Sequence, residues 1–206
     1  MLEEKNKEQI ILDAAEKEFM SKGFDGAKTM VIAAAANVTH AMLHYYFRTK
    51  ENLFNKVMLA KMLLVKDSIL TAFSREDLPL LQRIQNGIEA HFDILALNPD
   101  LPRFVMNELI SKPAYLAHLK SMMQLISGGV YKNLQKDLKF EQAKGNIEKI
   151  SIQDLMLDII SLNVFVFMAY PIIETFALED GRSKEEFLAA RKKENVEIIM
   201  RRLIKK

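Results

Sequence analysis

The segment from residue 26 to 50 combines hydrogen-bond donors and cations with a complete absence of carboxylates. Its donor side chains are hydroxyl, imidazole and cationic groups: Lys28, Thr29, Thr39, His40, His44, Tyr45, Tyr46, Arg48 and Lys50. Contact with a phosphate backbone requires short donors and cations on one surface from which acids are excluded. The composition therefore favours a phosphate-binding surface. Three cations are few, so charge alone leaves open a solvated helical hairpin that lacks acids by chance.

The elements that must position these side chains are short helices. Apolar residues at helical spacing predict a helix over 8–22 that ends at Gly23. A short Ala-rich helix is expected over 28–36, followed by a sharp turn at Asn37, a residue that tolerates left-handed backbone angles. A threonine then caps a helix over 40–46. Two short helices joined by a tight turn have the outline of a helix-turn-helix unit, whose second helix can enter the major groove.

The rest of the chain is also predicted to be helical. Only 7 glycines and 5 prolines occur in 206 residues, too few for many short strands and turns. No segment shows sustained period-two alternation. Helical periodicity with breaks at Asn, Pro and Gly predicts helices over about 51–73, 80–97, 103–110, 115–139, 151–177 and 183–204. The expected fold class is all-α.

Several classes of chemistry receive no support from the composition. The chain has no cysteine and 4 histidines, which excludes thiol nucleophiles and Cys-ligated metals. No HExxH motif, Gly-rich phosphate loop or serine elbow is present. We expect neither an enzyme nor a metal site or cofactor. A helical adaptor that binds another protein stays open as the alternative, ahead of a cofactor-free helical enzyme.

The net charge of +2 is the sum of segments whose charges have opposite signs. Residues 1–25 sum to −3 and residues 182–206 to +5, with the acid-free segment between 26 and 50 at +3. Cations in a final helix are favoured by the helix dipole, so we interpret the basic last helix as a solvated face. The N-terminus carries both charge signs without an apolar run, which does not fit a signal peptide and favours a cytoplasmic protein.

A set of short motifs occurs in a fixed order along the first part of the chain: Ile11-Leu12-Asp13-Ala14-Ala15, Phe19, Lys22-Gly23-Phe24, Ile32-Ala33, Ala36-Asn37-Val38-Thr39, Leu43-His44-Tyr45-Tyr46-Phe47 and Lys50-Glu51-Asn52-Leu53-Phe54. This ordered set resembles the DNA-binding domain of the TetR family of transcriptional regulators, over about the first 55 residues. The resemblance implies a three-helix DNA-binding head over 1–50 and a helical-bundle body for ligand binding and dimerisation over 51–206. It also implies a homodimer, most often a repressor, on a palindromic double-stranded operator, released by a small-molecule effector.

The resemblance also implies roles for individual residues. The residues after the cap Thr39, which are His40, Ala41 and Met42, are expected to contact the bases. Because only His40 can hydrogen-bond a base edge, direct readout of the sequence is limited and DNA shape contributes. Phosphate contacts are expected from Lys28 and Thr29 at the start of the second helix and from Lys50. A further phosphate contact is expected from one of His44, Tyr45 and Tyr46, and the sequence does not decide which. The family usually has Gly at Asn37, Thr or Ser at Ala27 and Lys28, and Tyr at His44.

The body offers candidates for a ligand pocket and for a dimer interface. Twelve Met and twelve Phe give adaptable apolar volume suited to an apolar effector. Candidate ligand contacts are polar, aromatic or methionine residues in apolar helical context: His91, Phe92, Met106, Asn107, Tyr115, Met123, Asn163 and Phe167. The apolar stretch 155–178 contains Asp158, Asn163, Pro171 and Glu174, which argues against a membrane span. It belongs to the centre of its domain or to a homodimer interface within 151–206.

Overall fold

The computed structural model describes residues 2–111, 129–177 and 181–205. Ten helices occur in these ranges, which confirms the all-α class. Their bounds are α1 Leu2–Gly26, α2 Thr29–Ala35, α3 His40–Phe47, α4 Lys50–Phe73, α5 Leu80–Leu97, α6 Leu101–Ser111, α7 Val130–Ala143, α8 Ile152–Met168, α9 Tyr170–Ala177 and α10 Lys184–Leu203. Among the described helices, none is both long and apolar enough to cross a membrane.

The first compact unit consists of residues 1–64 and 104–112. An aromatic cluster fills its centre, where the Phe54 ring meets the edges of Phe19 and Phe24 at centroid distances of 5.0 and 5.1 Å. Phe104 packs against the same ring at 5.6 Å. Edge-to-face packing of this kind adds to the stabilisation from burial. The cluster joins α1, α4 and α6.

Helix α1 is interrupted at Gly23, the residue at which the sequence predicts its end. Gly23 has φ 68° and ψ 179°, so the helix bends there, yet it resumes and ends at Gly26. The Ala27 amide donates to the Gly23 carbonyl over 3.3 Å. Glycine adopts a positive φ without the penalty that a Cβ would impose. The predicted helix end at Gly23 is therefore confirmed, and a short helical segment follows it up to Gly26.

The second compact unit consists of residues 65–103 and 113–206. Its largest buried cluster joins α5, α7, α8 and α10 through residues such as Ile84, Leu138, Leu155 and Ile199. The loop before α8 is fastened to the end of α10, where the Glu148 amide donates to the Leu203 carbonyl over 2.8 Å. Burial of these aliphatic side chains is the main stabilising contribution in this unit.

The segment predicted as one helix over 151–177 is two helices. Helix α8 ends at Met168 and α9 begins at Tyr170, with Ala169 between them. Pro171 lacks an amide hydrogen and its ring disfavours a preceding helical turn, whereas the first turn of a new helix accepts proline. The prediction of a single helix is thus wrong for a reason present in the sequence. Helix α7 also runs to Ala143, four residues past its predicted end at 139.

The end of α4 is fastened to α5 and α7 by the buried Arg83. Its Nε donates to the Phe73 carbonyl over 3.0 Å, and its Nη1 donates to Asp137 over 2.6 Å. The Phe73 ring lies directly against the backbone of α5 at Gly87. The last carbonyl of α4 therefore has a charged partner, and the ring beside it fits only because residue 87 has no side chain.

A chain of amide hydrogen bonds crosses the apolar centre of the second unit. Asn163 Nδ2 donates to the Ile88 carbonyl (3.0 Å) and to His91 Nδ1 (3.3 Å). Asn195 Nδ2 donates to Asn163 Oδ1 and to the Leu162 carbonyl, each over 3.0 Å.

The Arg191 Nη2 completes this chain by donating to Asn195 Oδ1 over 2.7 Å. Every donor and acceptor of the two buried amides is therefore used, which removes the cost of burying them. The bonds tie α5, α8 and α10 together in one relative position. We call His91, Asn163, Arg191 and Asn195 the amide network.

The contact between Phe73 and Gly87 leads to a first prediction. In a helix interior Gly→Ala normally stabilises by up to about 1 kcal/mol. At Gly87 the added Cβ would overlap the Phe73 ring, so we expect Gly87→Ala to destabilise by about 1–3 kcal/mol in urea denaturation. Gly129→Ala is the matched control, since no atom lies within 4 Å of its added Cβ. Equal stability of the two variants would contradict the packing described.

The buried imidazole of the amide network leads to a second prediction. Burial lowers the pKa of His91 to about 4, whereas an unfolded histidine titrates near 6.5. As pH falls from about 6.5 to about 4, the unfolded chain binds a proton that the folded chain does not, and stability decreases by roughly 3 kcal/mol. Urea denaturation at pH 7 and 4.5 measures the loss. His91→Gln should show a smaller loss, and identical pH profiles would show that His91 does not contribute.

Candidate nucleic-acid interface

Helices α2 and α3 are joined by a tight turn built on Asn37. This residue has φ 53°, and its amide donates to the Ala34 carbonyl over 3.1 Å. The Val38 amide donates to the Ala33 carbonyl over 3.0 Å. These bonds satisfy the last carbonyls of α2 in the way that a left-handed residue allows at a helix end. The predicted turn at Asn37 is confirmed in its backbone geometry.

The beginning of α3 is stabilised by a side-chain cap. Thr39 has extended backbone angles, and its hydroxyl oxygen accepts from the Met42 amide over 3.2 Å. Leu43 and Phe47 are buried on the inner side of α3. This cap satisfies an amide that would otherwise have no partner. The hydroxyl of Thr39, a predicted DNA contact, is thus already used to start the helix.

The predicted DNA contacts lie at the start of α2, along α3 and at the start of α4. Lys28, Thr39, His40, Ala41, His44 and Tyr45 are exposed, whereas Thr29, Met42, Tyr46 and Lys50 are half-buried. Tyr45 is the most accessible large side chain of α3, at 65% exposure. The structure therefore gathers these residues on three adjoining segments.

The two helix starts are connected by a hydrogen bond between predicted contact residues. Thr29 Oγ1 and His40 Nε2 are 2.9 Å apart. The His40 ring in turn meets the edge of the His44 ring at a centroid distance of 4.5 Å. Two neighbouring imidazoles thus lie on the exposed side of α3, and one of them links it to α2. The bond joins two residues eleven positions apart, so no local sequence pattern predicts it.

The end of α3 has a backbone conformation that the sequence did not predict. Arg48 has φ 63° and ψ −54°, and the Thr49 amide donates to the Phe47 carbonyl over 2.6 Å. This is the geometry of a classic γ-turn, which is rare and strained for a residue with a side chain. His44 Nδ1 lies 2.9 Å from the Arg48 carbonyl oxygen and supports the turn.

Lys50, at the first position of α4, is held close to the end of α1. Its Nζ donates to the Asp25 carbonyl over 3.4 Å and lies 4.8 Å from the centre of the Phe24 ring. A cation over an aromatic face is attracted by the ring quadrupole. The ammonium is therefore positioned by contacts of its own and does not extend freely into solvent.

The ligand candidates in the second unit are parts of its core. His91 and Asn163 belong to the amide network, and the rings of Phe92 and Phe167 pack against each other at 5.1 Å. The structure thus brings these four residues together as two packed pairs.

The other ligand candidates are placed differently. Met106 and Asn107 are exposed on α6, and Tyr115 and Met123 lie outside the described residues. The sequence did not reveal that Asn195 bonds Asn163, nor that Arg191, four residues earlier on α10, bonds Asn195.

Three surface clefts are defined by described residues, and none of the ligand candidates lines them. The largest of the three, about 470 Å³, lies beside Ser151 at the start of α8 and is bordered by Lys139, Lys149 and Arg202. A groove of about 430 Å³ runs between α1 and α2. The third, about 270 Å³, borders Arg83, whose Nη2 is buried and has no hydrogen-bond partner.

Comparison with solved structures shows that the whole fold recurs in bacterial regulators. A candidate fatty acid metabolism regulator from Clostridium perfringens has a TM-score of 0.72 at 21% identity, covering 96% of this chain and 100% of that one. A candidate tetR family transcription regulator from Shewanella sp. PV-4 has a TM-score of 0.61 at 20% identity, covering 97% and 99%.

The hemolysin II transcriptional regulator HlyIIR has a TM-score of 0.56 at 22% identity, covering 98% and 99%. At these identities the likeness concerns the fold. No curated protein matches the sequence significantly.

Two family models match separate parts of the chain. Residues 11–57, which contain α2, the turn and α3, match the model described as bacterial regulatory proteins of the tetR family. Residues 81–199, more than half of the chain, match the model described as the tetracyclin repressor-like C-terminal domain. The helix-turn-helix geometry of the head and the match over the body agree, and the chain belongs to the TetR family of DNA-binding transcriptional regulators.

Proposed function

We propose that this regulator is a repressor that binds a palindromic operator as a homodimer and leaves it when an apolar small molecule binds. The observation that carries the proposal is the exposed, acid-free surface of α2 and α3, held by the Asn37 turn. Residues 1–50 would serve as the DNA-binding domain and 51–206 as the ligand-binding and dimerisation domain, acting in the cytoplasm where the DNA is.

The contacts with DNA divide by chemistry. At the start of α3, His40, Ala41 and Met42 face the bases, where an imidazole can bond a purine edge and the other two can pack on thymine methyls. The phosphate contacts come from Lys28, Thr29, Lys50 and the His44-Tyr45-Tyr46 run. His44 and Tyr45 are both exposed, whereas Tyr46 is half-buried, so the first two are better placed for phosphate contact. Thin base contact makes DNA shape a component of operator choice.

The homodimer is proposed to form through an exposed apolar row on α8. Leu157 and Phe165 are 62% and 64% exposed, and Ile160 and Met168 share their side of the helix. Helical spacing places these residues within one broad face. Ile198 on α10 is a further exposed apolar residue within 151–206. Two such helices from each subunit make the four-helix interface that a twofold dimer needs.

The effector is proposed to act by changing the position of α4. This helix begins just after α3, the proposed recognition helix, and the carbonyl of its last residue accepts a hydrogen bond from Arg83. A shift of α4 in each subunit would change the separation of the two α3 helices, so that they no longer fit successive major grooves. The Met-rich and Phe-rich composition supports an apolar effector. A titration with candidate effectors that leaves operator affinity unchanged would argue against this step.

Selection of bound duplexes from a random DNA pool is the experiment that tests the function. We expect a palindrome whose half-sites lie about one helical turn apart. Recovery of no enriched sequence, together with binding that does not respond to salt, would contradict the proposal. A protein-binding adaptor, the alternative class, predicts that outcome.

Loss of one head cation provides a prediction for DNA binding. Lys28→Ala should weaken operator binding about 3- to 10-fold at physiological salt, and lower the slope of log K against log salt by about 0.9 per head, because one phosphate contact is lost. Fluorescence anisotropy with the selected duplex over a salt series measures both. Lys193→Ala, which removes an exposed cation from α10, should change neither.

Disruption of the apolar row provides a prediction for assembly. Leu157→Asp places a charge where two subunits would meet, so we expect a monomer in sedimentation equilibrium and an operator affinity at least about 100-fold weaker. Leu97→Asp, at a leucine 79% exposed at the end of α5, is the control and should remain dimeric. A dimeric Leu157→Asp protein would place the interface elsewhere.

A further inference from the structure

The hydrogen bond at the end of α3 determines which nitrogen of His44 carries hydrogen. Nδ1 lies 2.9 Å from the Arg48 carbonyl oxygen. A carbonyl oxygen can only accept, so Nδ1 must be the protonated nitrogen. In a neutral imidazole the other nitrogen, Nε2, then has a lone pair and no hydrogen. No described hydrogen bond uses this Nε2.

A neutral His44 is consequently a poor partner for DNA phosphate. Phosphate oxygens only accept hydrogen bonds, and an Nε2 without a hydrogen cannot donate one. Protonation adds a hydrogen to Nε2 and leaves the bond to Arg48 intact. The imidazolium can then make a charge-assisted hydrogen bond, which is stronger than one between neutral groups. The ring is exposed, so a phosphate can reach it.

The described groups around His44 include a neighbouring imidazole and several cations, and the ring itself bonds the Arg48 carbonyl. The His40 ring is its titratable neighbour, at 4.5 Å. Helix α2 has no ionisable side chain. No described hydrogen bond or ion pair joins a carboxylate to His44. Charged groups on the flanking elements include Lys28 before α2, Arg48, Lys50, Glu51 and Lys56 at and after the end of α3, and Glu18, Lys22 and Asp25 on α1.

We propose that His44 is a phosphate contact only in its imidazolium form, so that operator binding takes up a proton at His44 in each head. This inference rests on the proposed function and adds a pH dependence to it. The phosphate supplies the countercharge that the protein lacks at this position. One histidine in each head makes the new contact, so the uptake is one proton per head. Affinity therefore rises as pH falls.

The experiment measures operator affinity of the full-length protein at pH 6.0 and pH 8.0, at constant ionic strength, by fluorescence anisotropy. We expect wild-type affinity at pH 6.0 to be at least about 10-fold higher, since two linked protons allow up to a 100-fold change per pH unit. The salt slope should be steeper at pH 6.0 by about 0.9 for each new phosphate contact.

Variants assign the effect to one residue. His44→Tyr and His44→Gln carry donors that do not titrate in this range, so each should lose most of the pH dependence. His40→Gln keeps an amide for Thr29 and should retain it. His91 has its pKa lowered to about 4 by burial and does not titrate between pH 6 and 8. His118→Gln, at the fourth histidine, completes the set and should behave as wild type. Thermal unfolding followed by circular dichroism checks that each variant is folded.

The outcomes separate this inference from the function on which it rests. Operator binding with equal affinity at both pH values, or pH dependence that persists in both His44 variants, overturns the role of His44 and leaves DNA binding intact. Loss of the pH dependence in His40→Gln also overturns it. Failure to bind any selected duplex at either pH overturns the proposed function itself.

Discussion

The position of the recognition helix depends on backbone groups at its two ends. At the start of α3, the Thr39 hydroxyl oxygen accepts a hydrogen bond from the Met42 amide. At its end, Arg48 adopts a γ-turn that directs the chain into α4. The turn is strained, and it persists because hydrogen bonds hold the residue on both sides. The Arg48 amide donates to the His44 carbonyl over 2.9 Å, and the His44 ring bonds the Arg48 carbonyl. Side chains expected to meet DNA thus also shape the helix that presents them.

The second unit uses polar bonding for a different purpose. Its core is mostly aliphatic and aromatic, and such a core tolerates alternative packings. The amide network adds directional bonds that each require one partner in one place. Helices α5, α8 and α10 are therefore held in register by Asn163 and Asn195, while the surrounding apolar residues supply most of the stability.

The sequence predicted most of the head and little of the body site, for physical reasons. Helix ends, the Asn37 turn and the Thr39 cap follow from local backbone preferences, which short motifs express. The break between α8 and α9, at Ala169, was not predicted, although Pro171 signals it. Bonds between distant residues, such as His91 with Asn163 or Arg83 with Phe73, depend on packing and leave no local pattern. The γ-turn at Arg48 had no signal, because a non-glycine residue in that conformation is uncommon.

The completeness of the amide network has a consequence for how this protein can diverge. Any single replacement of Asn163 or Asn195 leaves a buried donor or acceptor on its partner unpaired, and such an orphan costs more than the bond itself contributed. Joint replacement of both by apolar residues of similar shape removes the two amides together, and leaves only His91 Nδ1 and Arg191 Nη2 to find other partners. Viable lineages are therefore expected to change these two positions as a pair, so that related regulators carry two matched amides or none. Covariation of this kind would record packing in the body, independently of any change in the DNA that the head recognises.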